Sequence, residues 1–493
     1  MKFNYIYTKW ILISLMLISA ALRYFTLNTV SLTLEEQVIW FVGTQNTPIE
    51  GLLLLTKIKP FSLIIAITSW ISCYDGLYIE LINRAVVIIA GVMAVPLGFI
   101  LARKFYSEVE GIIVAGFIAL SWNCITASQN MTGYSFLLVF ILLYFIALIS
   151  FLDKISDEEI ELSDKITIPM YESIFLIVSG VLLGFTSIWG IAIVFISFFY
   201  IFFFIKKMKI FLKTISRFAY IVIPLGLFSW WGLHQEVIYT NTKISAIDYF
   251  DYFSYTIANN YVLSALIIAP IFYLMFVYIK RIISKNEFGE DAKTRFNNST
   301  LVVSIWFAAS ITAFVLITLF LQVDFTADDL IFVIPPLFIL IARSIVLISS
   351  KLKHQIIIGS IFGLFFIISI FMNLENIDNK PEYNLAVRYI MHTINNDNDN
   401  KYVIMMSNYE NNIFPEETFS YYLKKNKIKN EIIIFNNNFD MIKKIADIKA
   451  NYIWFIADND YVNQKIIAEM IKKELVENGY RYKGITIYKI RCM

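Results

Sequence analysis

Long apolar runs separated by short polar connections set the pattern of the first three quarters of the chain. An α-helix needs about 17–25 such residues to cross about 30 Å of hydrocarbon. Eleven stretches meet that need, with approximate limits 10–27, 80–102, 109–126, 134–152, 170–187, 189–205, 214–232, 260–280, 299–321, 329–349 and 355–373. The run 61–74 is shorter and reads as a re-entrant or interfacial helix, because counting it as a span would invert every later connection. After Asn373 the pattern changes to short apolar runs alternating with amphipathic stretches. Tyr402 to Met406, Ile432 to Phe435, Tyr452 to Ile456 and Ile485 to Ile490 read as buried strands. Helices are expected between them at 383–394, 415–425, 438–448 and 461–477. The chain is thus expected to be a polytopic α-helical membrane protein with a small C-terminal α/β domain. The boundaries are 1–373 for the transmembrane domain, with an acidic loop at 28–60, and 374–493 for the α/β domain.

The distribution of Lys and Arg orients this arrangement, since basic residues crowd cytoplasmic connections. With the N-terminus inside, the inner connections hold eighteen basic residues, among them Arg103, Lys104, Lys206, Lys207, Lys280, Arg281, Lys351 and Lys353. The outer ones hold Lys57, Lys59 and Lys243, or five if Arg23 and Arg84 at helix ends are added. The loop 28–60, the connections near Asn130, 233–259 and 322–328, and the C-terminal domain are then all expected outside. Lys2 and Lys9 ahead of an apolar run closing in Ser19-Ala20-Ala21 resemble a secretion signal. A retained first helix is the preferred reading, because the later spans already direct the chain to the cytoplasmic (inner) membrane.

Composition agrees: 58% of the 493 residues are apolar, far above a soluble domain. A net charge of +2 without a basic block argues against nucleic acid as a partner. Cys73, Cys124 and Cys492 are far apart, as are His234, His354 and His392, so neither a structural disulfide nor a zinc cluster is expected.

The chemistry-bearing residues sit at the outer boundary. Glu35 and Glu36 are adjacent in the acidic loop, which closes in Lys59-Pro60-Phe61; Asn83-Arg84-Ala85 opens the next span. Each has a plainer reading, a solvated loop charge for the acids and snorkelling for Lys59 and Arg84. In order and type these features resemble the GT-C class of membrane glycosyltransferases. The branch concerned contains protein O-mannosyltransferases, the lipid A aminoarabinose transferase and bacterial family 39-like enzymes. Its members pair an outward Asp-Glu with a Lys- or His-Pro-Pro-Leu motif and an Arg-containing entry to the next span. Arg103-Lys104-Phe105-Tyr106 with Gly111, the stretch Val181 to Gly190, and Ile334-Pro335-Pro336-Leu337 extend the resemblance. It departs at Glu35, usually Asp, at Gln129, Asn130 and Thr132, where relatives carry arginines, and at Asp328-Asp329, where they often carry Arg-Tyr or His-Tyr.

The resemblance implies an inverting transfer of a sugar from a polyprenyl-phosphate carrier to a glycan, lipid or protein acceptor on the outer face. An alcohol needs a base as the new bond forms, and Glu35 is the candidate, with Glu36 orienting it or the acceptor. Which of the two abstracts the proton stays open; neighbours on a helix diverge by about 100°, so one should face the cavity. Lys59 and Arg84 would stabilise the departing phosphate. Tyr134 is either an interfacial belt aromatic or a residue of the substrate cavity. No cofactor is expected; Asp324, Asp328 and Asp329 could hold a divalent cation, which is left unassigned. Two other readings compete, a transporter or flippase of lipid-linked glycan intermediates and a non-catalytic envelope assembly protein. A transporter would show inverted repeats and charges at mid-membrane, and neither is visible.

Overall fold

A computed structural model describes residues 5–25, 34–55, 62–73, 80–160, 170–204, 208–233, 246–283, 290–321, 327–349, 351–378, 387, 390 and five strands between 402 and 491. The chain runs α1 (Tyr5–Phe25), α2 (Leu34–Gly43), α3 (Pro48–Leu55), α4 (Leu63–Cys73), α5 (Glu80–Phe105), α6 (Glu108–Leu120), α7 (Trp122–Gln129), α8 (Tyr134–Ile160), α9 (Met170–Gly184) and α10 (Ile188–Phe204). It continues with α11 (Met208–Leu233), α12 (Ala246–Ile257), α13 (Tyr261–Ile283), α14 (Glu290–Leu321), a 3-10 segment (Ala327–Val333), α15 (Ile334–Ile348) and α16 (Leu352–Asp378). The strands are β1 (Tyr402–Ser407), β2 (Ile432–Phe435), β3 (Tyr452–Asp458), β4 (Val476–Tyr482) and β5 (Ile485–Arg491).

Each of the eleven expected stretches contains helix, although 109–126 holds two helices and 329–349 opens in the 3-10 segment. Among the described residues six are long and apolar enough to cross a membrane, or eight if each of two bent pairs is one span. The described apolar parts of α9, α10 and α11 are shorter. The protein is a multi-span helical membrane protein.

Two compact units emerge: residues 1–25, 59–65 and 84–373, and residues 26–58, 66–83 and 374–493. In the first, small residues let helices approach closely, as membrane packing favours. Ala94, Ala102, Ala115 and Ala119 are fully buried beside Phe117. The Phe117 ring meets Phe338 and Phe366 at 5.6 and 5.1 Å, and Phe145 stacks on Trp306 at 3.6 Å. The outward faces stay apolar, with Phe272 and Phe276 of α13 more than half exposed, as suits a lipid solvent. Gly133 (φ 85°) starts the turn into α8, where a Cβ would lie 2.4 Å from Ile65. At Gly190 a Cβ would stand 2.0 Å from the Leu183 carbonyl oxygen. Gly190→Ala is therefore expected to cost about 1–3 kcal/mol, read as a lower thermal midpoint in detergent; an unchanged midpoint would mean that the α9–α10 turn yields freely.

Where α5 gives way to α6, Ser107 caps the latter: its hydroxyl accepts from the Val109 N–H and donates to Glu110. Glu110, fully buried, is paired with Arg343 of α15 at 2.7 Å. The Arg343 guanidinium also covers the Tyr106 ring at 4.7 Å. Burial first, with Glu110 adding to it, pushes the Tyr106 phenol up to about 12 against the opposing effects of Thr300 and Arg343. It therefore stays a donor to Thr300.

Two expected elements differ. The span 109–126 is not one helix but α6 and α7, bent by 53° at Ser121, whose backbone is extended (ψ 128°). The connection 233–259 contains α12, which meets α13 at 77° through Asn259 (φ 49°). Each break frees carbonyls that lipid cannot satisfy, so the protein does. At the second, the Ser369 hydroxyl and the Asn373 amide donate to the Ala258 carbonyl at 2.6 and 3.3 Å, and the Asn260 side chain caps α13. At the first, Arg23 of α1 does the same work, its guanidinium donating to the freed carbonyls of Ile118 (3.3 Å) and Ala119 (3.5 Å) and, across the break, to that of Cys124 in α7 (3.2 Å).

In the second unit the sheet order is β2-β1-β3-β5-β4, with β1 parallel to β2 and β3, and β5 antiparallel to β3 and β4. Trp454 and Lys489 are cross-strand partners, and the ammonium lies 5.8 Å from the indole. Four strands coincide with the expected ones. β4 was not foreseen: it takes residues 476–477, the end of the expected helix 461–477. The rest of that helix and those at 415–425 and 438–448 lie outside the described residues, as does nearly all of 383–394.

Candidate functional site

Helix α2 carries the acidic pair in its first turn, where the helix dipole favours negative charge. Ile39, Trp40 and Val42 bury the helix, and Gly51 of α3 lets the two helices close together. Glu36 and Gln37 are fully buried. A carboxylate withdrawn from water is costly unless matched by charge or hydrogen bonds, so its presence calls for more than packing. The side chain of Glu35 lies outside the described residues, as does all of Lys59. Arg84 of α5 is 1% exposed and belongs to the first unit together with Tyr134, whereas Glu36 belongs to the second.

Tyr134 is not a belt aromatic. It is buried, and its phenol donates to Asp329 Oδ1 at 3.0 Å. The Trp189 indole N–H donates to the same oxygen at 3.0 Å, and its ring stacks on Phe332 at 4.9 Å. Asp329 sits in the 3-10 segment because Pro335 and Pro336 occupy the first positions of α15, where a missing N–H is harmless, and the chain tightens before them. That segment packs against α7, α8, α10, α12 and α14. The sequence distinguished Asp328 and Asp329 only as a departure from the relatives' cations and as part of an unassigned cation site. Trp189 was not separable from the apolar residues around it. Among the described residues no group of three or more His, Cys, Asp or Glu could hold a metal ion.

No protein-family model matches the chain, and no curated protein is similar to it in sequence. Solved structures are similar. The apo structure of ArnT from Cupriavidus metallidurans matches with a TM-score of 0.60 at 9% identity, covering 98% of both chains. The same protein bound to undecaprenyl phosphate matches at 0.56 and 10% identity over the same 98% of each. An Archaeoglobus fulgidus oligosaccharyltransferase tethered to an acceptor peptide matches at 0.53 and 10% identity, over 99% of this chain and 74% of that one. The chain shares the fold of these polytopic membrane proteins.

Proposed function

We propose that the protein is an inverting glycosyltransferase that moves a sugar from a polyprenyl-phosphate carrier to an acceptor on the outer face of the cytoplasmic membrane. The observation that carries this reading is the similarity of fold over nearly the whole length of ArnT, including a structure of that protein with undecaprenyl phosphate bound. The N-terminus lies in the cytoplasm and residues 374–493 form an outer domain, as the basic residues suggest. In the reaction the acceptor oxygen bonds to the anomeric carbon while the carbon–oxygen bond to the carrier phosphate breaks. The bonding pair leaves with the phosphate, and the acceptor proton passes to a carboxylate. Glu35 is that base. Glu36, excluded from water, orients it rather than meeting the acceptor itself. Lys59 and Arg84 hold the phosphate as its charge grows.

The test is reconstitution in nanodiscs with polyprenyl-phosphate-linked sugars, following release of the free carrier phosphate. Release dependent on acceptor is expected. Lys59→Ala is expected to lower it about 100-fold, as loss of one charge-stabilising group does elsewhere. Movement of intact lipid-linked sugar across the bilayer without release would favour the flippase reading. An unchanged cellular phenotype with Glu35 and Glu36 both replaced by Gln would favour the assembly protein.

A further inference from the structure

In the first unit the two breaks and the 3-10 segment come together: α7 packs on α12, and both pack on the 3-10 segment. Besides the Tyr134–Asp329–Trp189 cluster, several buried polar groups on and beside these elements find no partner among the described residues. Asn123 is fully buried on α7, and among the described residues neither its amide oxygen nor its nitrogen has a hydrogen-bond partner. The same holds for the hydroxyls of Thr132, at the turn into α8, and of Ser135, beside Tyr134. Native interiors pair such groups almost without exception, so a run of unpaired ones marks a place completed by something else.

We propose that this layer, with Asn123, Asp328, Asp329 and the rings of Tyr134 and Trp189, is a binding subsite for a neutral, hydroxyl-rich sugar unit. The inference rests on the glycosyltransferase reading and names where that sugar is recognised. The chemistry selects the ligand. Two adjacent carboxylates repel an anion, which sets the carrier phosphate aside, and they accept hydrogen bonds from hydroxyl groups. The Asn123 amide both donates and accepts, matching hydroxyls that do the same. Asp329 is fixed by Tyr134 and Trp189, each at 3.0 Å, so that its position does not have to be organised when the ligand arrives.

The test uses full-length protein in nanodiscs and saturation-transfer NMR with free neutral hexoses, hexosamines and inorganic phosphate as probes. At least one neutral hexose is expected to bind saturably. Asn123→Ala and the isosteric Asp328→Asn are each expected to weaken it about tenfold or more. The thermal midpoint of Asp328→Asn should stay within reach of the unmodified protein, which guards against a folding defect. Binding of no hexose, as expected if these groups meet only buried water, overturns the proposal. So does binding restricted to hexosamine or phosphate, or binding that neither substitution affects. The two readings fail separately. Carrier release with KM for the donor unchanged in Asp328→Asn sinks the subsite alone. Hexose binding at these residues in a protein that releases no carrier phosphate from any donor sinks the transferase reading alone.

Discussion

On the proposed transferase reading, replacing Glu35 by Gln is expected to lower sugar transfer by a factor of about 100 or more, within the range that a positioned general base contributes. Gln keeps the size and the hydrogen-bonding oxygen of the side chain but cannot take a proton, so the loss should fall on kcat with KM little changed. The same reading expects the thermal midpoint to hardly move, since the change keeps the size of the side chain. Glu36→Gln should behave differently. Its side chain is fully buried on α2, so the substitution puts an amide donor in place of a carboxylate oxygen away from water. A lower thermal midpoint is expected, corresponding to about 1–3 kcal/mol for the mismatched group. Activity should fall with it. Paired measurements of turnover and melting for the two variants assign the roles. Near-normal turnover in Glu35→Gln, with kcat collapsing in Glu36→Gln, would move proton abstraction to Glu36.

Substituting Arg23 by Met should be among the most damaging single changes in the membrane unit. The guanidinium is fully buried and all its nitrogens are used: Nε donates to Ser128 Oγ at 3.1 Å, Nη1 to Ser19 and Ala119, and Nη2 to Ile118 and Cys124. An arginine within the membrane normally raises the question of a ligand. Here two of the acceptors are the Ile118 and Ala119 carbonyls released at the end of α6, and the others lie on α7 and α1, so its role is to hold the break rather than to bind phosphate. Met retains the apolar stem and removes every one of those donors. A loss of about 1–3 kcal/mol is expected, the cost of buried acceptors left without a donor. Lys should rescue only in part, because one ammonium cannot span Ser128 and Ile118 as a planar fork does. Thermal unfolding of the three proteins in the same detergent reads this directly. A Met variant that melts with the unmodified protein would show that the bend needs no clasp.

The same residue illustrates how far the sequence could be read. Arg23 entered only as a basic residue at the outer end of a span, because its partners lie about a hundred positions away. The break it holds was hidden too, since Leu120-Ser121-Trp122 interrupts the apolar pattern with a single hydroxyl and no Pro or Gly. Likewise β4, Val476 to Tyr482, contains Glu477, Asn478 and Gly479, and it becomes a strand through pairing with β5 rather than through its own preference. Tyr134 was visible as a tyrosine at the start of a span, which fits a boundary aromatic as well as a buried one. Asp329, 195 residues further on, decides between them.

The sequence by itself determined the succession of membrane helices, the alternation of β1, β2, β3 and β5, and the presence of an acid pair ahead of a Lys-Pro turn. These follow from local quantities: the length of an apolar run against the thickness of hydrocarbon, and the period of side chains along a strand. Tertiary structure alone decided that Glu36 is sealed from water, that Arg23 clasps a broken helix, and that Asp329 joins Tyr134 and Trp189. Each of those depends on which distant backbone carbonyl or ring a side chain meets, and no property of its own neighbourhood in the chain carries that information.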